Sequence, residues 1–377
     1  AAAGDRGARR EGAAGAAGTG PAGGALPITV PVGTTSSLAS CSFDVALCPS
    51  TTTQTPLLAS TGTELVVAYQ APLEGATRWV FDHRAPSDAT RSTGASALVI
   101  DPPEDSLVPV ALLTTSDHYV VLAQRAVGLG LYGIDAVEGT WTSVVLDDPA
   151  LAPPRDGLIA TTDSYVFATT TDSGQLTLVE VPQSLTESPL LTALPGVSNA
   201  EGAALAWGQG RLGVACLAGS PPQLTVLTGA STTGSWSTAN LVSTGTAPGN
   251  PHLASHAGQW LVAWDDLDNT GQRRIYAQGV DDTGTAQGTP VTLGLGSAPQ
   301  VAYVGTAWSV VWTRSTATSG EVVQQLLDDT LALSGAEKTL IPLASSQPVR
   351  TAATPSGLQA TLWWDSNANS VELALCN

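Results

Sequence analysis

The sequence predicts an all-β fold: a seven-bladed β-propeller of four-stranded antiparallel blades, its ring closed by an N-terminal strand. Three observations carry that expectation. A short β run ending in a bulky residue recurs seven times, each copy holds several strand-like segments, and the composition favours strands and turns over helices. The recurring run occupies residues 65–69, 119–123, 165–169, 212–216, 260–264, 308–312 and 360–364. Its last residues are Tyr69, Ala123, Thr169, Cys216, Trp264, Trp312 and Trp364, separated by 54, 46, 47, 48, 48 and 52 positions. That spacing is the length of one blade.

The fifth copy shows the plan of a blade. Segments 251–256, 259–264, 274–280 and 289–293 are strand-like, joined by Ala257-Gly258 and by polar stretches at 265–272 and 281–288. Such connections suit antiparallel neighbours. The sixth copy repeats the plan at 299–304, 308–312, 321–327 and 338–343. Asp147-Asp148, Asp281-Asp282 and Asp328-Asp329 read as strand terminators at related turns.

Composition narrows the function. The 377 residues hold 14 Lys+Arg against 32 Asp+Glu, a net charge of −18, which disfavours a nucleic-acid partner. Charged residues are 12% of the chain against roughly 25% in an average soluble protein, so Thr, Ser, Gln, Asn and 39 Gly supply the polar surface. No apolar run is long enough for a membrane span. Walker, dinucleotide-binding and Gly-x-Ser-x-Gly motifs are missing, and no cofactor is expected. The chain begins at Ala1 and lacks Met, which, with its acidic Thr/Ser-rich character, points to export. Secreted or outer cell-surface placement is the expectation.

Residues 1–34 are expected to form a flexible Ala/Gly-rich arm with a short β segment, and residues 35–377 the propeller. In the arm, Ile28, Val30 and Val32 share one face of an extended segment and are the candidate self-assembly contacts.

The seventh copy runs out after three strands, at 349–353, 359–364 and 370–376, leaving an edge to be paired. Either 28–33 or 42–47 can supply the missing strand, and register favours 42–47. That choice sets Cys41 beside Cys376 and suggests a ring-closing disulfide, with a local Cys41–Cys48 bridge or reduced thiols as the alternatives. Cys216, at a repeat position held elsewhere by bulky residues, reads as a buried, inert thiol.

The pattern Pro-x-hydrophobic, then Trp-Leu-Val-Ala-Trp-Asp, then Arg-Ile-Tyr-Ala-Gln-Gly-Val-Asp-Asp-Thr-Gly resembles secreted repeat proteins of myxobacteria-like Gram-negative bacteria, over residues 247–341. It does not fit the WD40, kelch or sialidase types, because their Gly-His, double-Gly and Ser-x-Asp-x-Gly signatures are missing. The resemblance implies the fold and leaves the ligand open.

No metal site is expected. His252 and His256 lie four apart on an innermost strand and face one side, with no acidic partner near them in sequence, so they read as structural. The Asp266–Gly271 stretch opens like a calcium loop but has Ala277 where the closing Glu belongs, so it reads as a polar hairpin. Trp264, Trp312 and Trp364 share a repeat position and are assigned to packing between blades. The ligand-binding candidates are Trp79, Trp141 and Trp236 on other strands, with the carboxylates Asp265, Asp266 and Asp365.

The function expected is binding without catalysis: a structural or adhesion protein, self-associating through its arm or engaging an extracellular protein or glycan. A carbohydrate-binding lectin is the alternative reading, and a polysaccharide-cleaving enzyme the third.

Overall fold

The computed structural model describes residues 37–38, 41–44 and 56–376, apart from short segments at 62–63, 74–75, 86–96, 103–106, 116, 242–244, 316–318, 344–348, 354–358 and 366–369. The arm residues Ile28, Val30 and Val32 lie outside the described residues. The rest is all-β, a seven-bladed propeller. Among the described residues no helix is long and apolar enough to cross a membrane.

Six blades are four-stranded meanders in chain order, from Leu57–Ile100 in blade 1 to Ser297–Leu343 in blade 6. Their innermost strands are Leu57–Ser60, Val108–Thr114, Leu158–Ala160, Glu201–Gly208, Gly249–His256 and Ser297–Val304. Arg350–Ala353 is the seventh, and it packs beside the first, so the inner ring is continuous. Blade 7 adds Gln359–Asp365 and Ser370–Cys376 and takes Cys41–Asp44 as its outer strand, antiparallel to Ser370–Cys376. Cys41 pairs with Cys376 in register, as expected, although both side chains lie outside the described residues. A two-residue strand, Ser37–Leu38, pairs beyond it as a fifth strand that sequence pattern did not anticipate.

Alternation along each second strand builds the core. In Gln259–Leu267, Trp260, Val262 and Trp264 point toward blade 4, while Leu261 and Ala263 point toward blade 6. The next second strand repeats this, with Trp308, Val310 and Trp312 against blade 5 and Val311 against blade 7. Period-two side-chain alternation therefore gives each strand two apolar faces, one per neighbouring blade. Seven separate hydrophobic clusters result, one at each blade interface.

Trp264 and Trp312 are fully buried, as packing required. Blade 7 departs from the expected phase. Ala360 and Leu362 face blade 1 and Trp363 faces blade 6, so Trp363 has the orientation of Trp264 and Trp312, while the Trp364 side chain lies outside the described residues. A longer connection, 354–358, precedes this strand, and a one-residue offset swaps the faces of every side chain after it.

Cys216 is buried between blades 3 and 4 as a free thiol, and burial pushes its pKa up to about 12. The native chain is expected to leave Cys216 unmodified by a thiol-specific reagent, with reaction only after unfolding. Labelling followed by peptide mapping checks this; rapid native labelling of Cys216 would contradict its placement.

The Asp turns are partly regrouped. Asp281 and Asp328 each follow a third strand, and one carboxylate oxygen of each takes two backbone N–H groups and a Thr hydroxyl two residues on. Asp135 is their equivalent in blade 2, accepting from Val137 and Glu138. Asp147 and Asp148 follow a fourth strand instead, on the other face of the ring.

Candidate functional site

The face on which first strands begin and second strands end gathers the polar side chains that the core excludes. Backbone irregularities place them. The first strands of blades 4, 5 and 6 open with β-bulges, and Gly202, Asn250 and Ala298 sit there at φ 64°, 48° and 53°. A bulge re-aims the side chains that follow it. Two residues beyond Asn250 is His252, and two beyond Ala298 is Gln300.

These two side chains act alike across blade boundaries. His252 Nδ1 accepts the Val301 N–H at 3.1 Å, and Gln300 Oε1 accepts the Thr351 N–H at 2.9 Å. With Nδ1 facing a backbone N–H, the ring nitrogen left to donate is Nε2. That nitrogen donates to Asp156 Oδ2 at 3.0 Å, across the ring from blade 5 to the segment entering blade 3. Arg350, opening blade 7, reaches the same oxygen at 3.4 Å. Three non-adjacent blades thus meet over the axial channel at one carboxylate. Burial taken alone raises the Asp156 carboxyl, but the His252 hydrogen bond, the Arg350 charge and the Gly157 N–H together hold it well below the usual carboxylate range. The expectation that these histidines have no acidic partner is corrected for His252: Asp156 is 96 residues away in sequence and adjacent in space. His256, at the opposite end of the same strand, stacks on Tyr303 with ring centroids 3.3 Å apart.

Residues 155–157 run alongside blade 4's first strand. Arg155 N–H donates to Ala203 O, and Asp156 bridges to Ala204 in parallel register. The exposed Arg155 guanidinium donates to the Asn250 amide oxygen. Gly202 makes room for it, since a Cβ there would overlap Arg155 Nε. Beside this lies a polar cleft of about 290 Å³ between blades 3 and 4, lined among others by Thr171, Asp172, Ser173, Asn199 and Glu201. Its floor depends on the close approach of Gly174 to the Asn199 backbone, where a Cβ would sit 2.5 Å from the Asn199 Cα.

The candidates named from sequence fall in several places. Trp79 is in the core between blades 1 and 2, edge-on to Tyr132 at 5.9 Å, and presents no face to a ligand. Its alternating position points it into an interface, as for the repeat tryptophans. Trp141 is half-buried against the same cluster, and Trp236 lies half-buried over Gly229 at the blade 4 periphery. The Asp365 side chain lies outside the described residues.

Asp266 is fully buried and is a loop anchor, accepting the N–H groups of Gly245, Ala247 and Leu267 at 2.8–3.0 Å. Asp265 is also fully buried, beneath the axial mouth. It takes the Asn250 side-chain amide at 2.6 Å, the Ala298 N–H at 2.8 Å and the Arg273 guanidinium, tying blade 5 to blade 6. It therefore supports the site from below. Of the loop suspected of resembling a calcium site, Asp268 accepts from Thr270, Arg274 and Gln272, a hydrogen-bonded hairpin. Among the described residues no group of three or more His, Cys, Asp or Glu is placed to hold a metal ion.

Sequence reasoning missed Asp156, Arg350, Arg155, Asp172 and Glu201. The legible signal was the Pro that follows the bulges of blades 5 and 6, at Pro251 and Pro299, just before His252 and Gln300.

No family model and no curated protein sequence matches the chain, and the resemblance to secreted repeat proteins gains no support from either comparison. Solved structures do match. A structure from a study of two prolyl endopeptidases aligns over 85% of this chain and 49% of its own, at 11% identity and TM-score 0.52; this chain spans about half its length. An α-L-arabinofuranosidase from Lactobacillus brevis aligns over 58% of this chain and 88% of its own, at 10% identity and TM-score 0.38. An exo-1,5-α-L-arabinanase from a bovine ruminal metagenomic library aligns over 58% and 90%, at 11% identity and TM-score 0.33. At 11% identity the likeness to the prolyl endopeptidase structure is one of fold alone.

Proposed function

We propose that this protein is a secreted or cell-surface adhesion protein that works by binding a glycan, without catalysis, at the axial mouth and the adjoining blade 3–blade 4 cleft. One observation carries the reading. His252 of blade 5 and Arg350 of blade 7 converge on Asp156, at the entry to blade 3, beside a cleft whose lining is hydroxyl, amide and carboxylate. Such a lining pairs with sugar hydroxyls, which both donate and accept. The buried tryptophans support packing, so recognition rests on polar groups. Asp156 is committed to His252 and Arg350 and held ionised, which suits positioning better than proton transfer.

A glycan array probed with the full chain tests this. Binding is expected, weakened about tenfold or more in the double variant Asp172→Asn, Glu201→Gln, which removes two charge-accepting partners from the cleft. A silent array, or binding that the double variant leaves intact, overturns the reading.

The placement of Asp172 and Glu201 in one cleft favours a second reading, a polysaccharide-cleaving enzyme, since paired carboxylates are what glycoside hydrolysis needs. Reducing sugar released from an array-positive polysaccharide, and lost in the same double variant, would decide for it.

A further inference from the structure

We infer that the axial mouth selects an acidic saccharide, binding the carboxylate of a uronic acid at Arg155 and Arg350 while the sugar hydroxyls face the cleft. This rests on the glycan reading and names its substrate class.

Charge is the first ground. The chain carries −18 and only 14 cationic residues, yet two of its guanidinium groups, Arg155 and Arg350, stand together at this mouth, Arg350 reaching Asp156. Among the described residues the two guanidinium groups stand beside Asp156, and Glu201 stands next to them at the cleft. Asp265, beneath the mouth, is paired with Arg273.

Unused donors are the second ground. Among the described residues Arg350 Nε is buried without an acceptor, while Nη1 is engaged with Asp156 and approaches the Arg155 carbonyl oxygen at 3.5 Å. Arg155 makes no ion pair among the described residues, and its side-chain partner is a neutral amide. A guanidinium presents a fork of donors that matches a carboxylate, and Gly202 leaves room for the exposed Arg155 guanidinium, of which Nη1 donates to Asn250.

Polarity across the site is the third ground. Glu201 lines the cleft and is the residue before Gly202, so acceptor carboxylates begin where the Arg155 guanidinium ends. A uronic acid has one carboxylate and several hydroxyl donors on one ring and satisfies both ends together. An acidic peptide brings further carboxylates toward Asp172 and Glu201 and toward a strongly negative surface, and is repelled.

Calorimetry on the full chain tests the inference. The probes are an oligogalacturonate trisaccharide and the same trisaccharide with its carboxyl groups reduced to primary alcohols. The acid is expected to bind about tenfold more tightly or better, with the preference shrinking as salt is raised. Arg155→Gln, at an exposed position, is expected to keep the wild-type melting curve and cut the preference to about threefold or less. Equal affinity for the two probes, or an undiminished preference in Arg155→Gln, overturns carboxylate selection. Neither probe binding also overturns it; the glycan reading then survives only where the array shows a neutral sugar bound, and falls where the array is silent.

Discussion

Replacing Trp308 with alanine is expected to destabilise the propeller by about 3–5 kcal/mol, measured as a fall in the denaturant midpoint at unchanged slope. Trp308 is fully buried and packs against Leu261, Ala263 and Ile275 of blade 5 and Val310 of its own blade. Tyr303 meets it edge-on at 5.2 Å and His256 at 6.3 Å. Few small neighbours can shift to fill the void, because both blades are anchored to further blades on their other sides. The same change at the 87% exposed Val137 is the control and should alter stability by less than about 0.5 kcal/mol. A Trp308→Ala variant within about 1 kcal/mol of wild type would show that this interface does not hold the ring.

The second large effect is expected at the seam. Cα atoms directly opposed in an antiparallel pair lie about 4.5–5.5 Å apart, inside the range a disulfide spans. Cys41 and Cys376 occupy such a pair, and a bond between them closes a loop running from residue 41 to residue 376. On the chain-entropy account, a loop of that length corresponds to about 5–6 kcal/mol of stabilisation. Under oxidising conditions, Cys376→Ser is therefore expected to lose most of that margin, while with reductant present it should match wild type. Peptide mapping of the unreduced chain should recover Cys41 linked to Cys376. A Cys41–Cys48 peptide instead would assign the seam to backbone pairing alone.

Cluster by cluster, what sequence could reveal follows the range of the interactions involved. Trp260, Trp264, Trp308 and Trp312 were legible as packing residues because strand alternation is local and their positions recur. The Cys41–Cys376 register was legible because closing a ring leaves few ways to pair a last strand. Trp79 was misjudged as a ligand contact because its strand lacks the repeated pattern that marks interface positions, and its burial depends on Tyr132 of the next blade. Asp265 and Asp266 were singled out for their charge. Their roles as ties come from partners such as Ala298 and Gly245, which no motif announces.

The amino-acid sequence by itself indicated seven blades, the strand plan of the last three and a preferred segment for closing the ring, since these depend on spacing and alternation along the chain. Only the tertiary structure decided the site. Asp156 meets His252 across 96 residues and Arg350 across 194, and Arg155 stands beside Gly202 of another blade. Those contacts are made by bulges and strand ends as they are carried around an axis, and such a circuit juxtaposes residues whose separation along the chain holds no period to read.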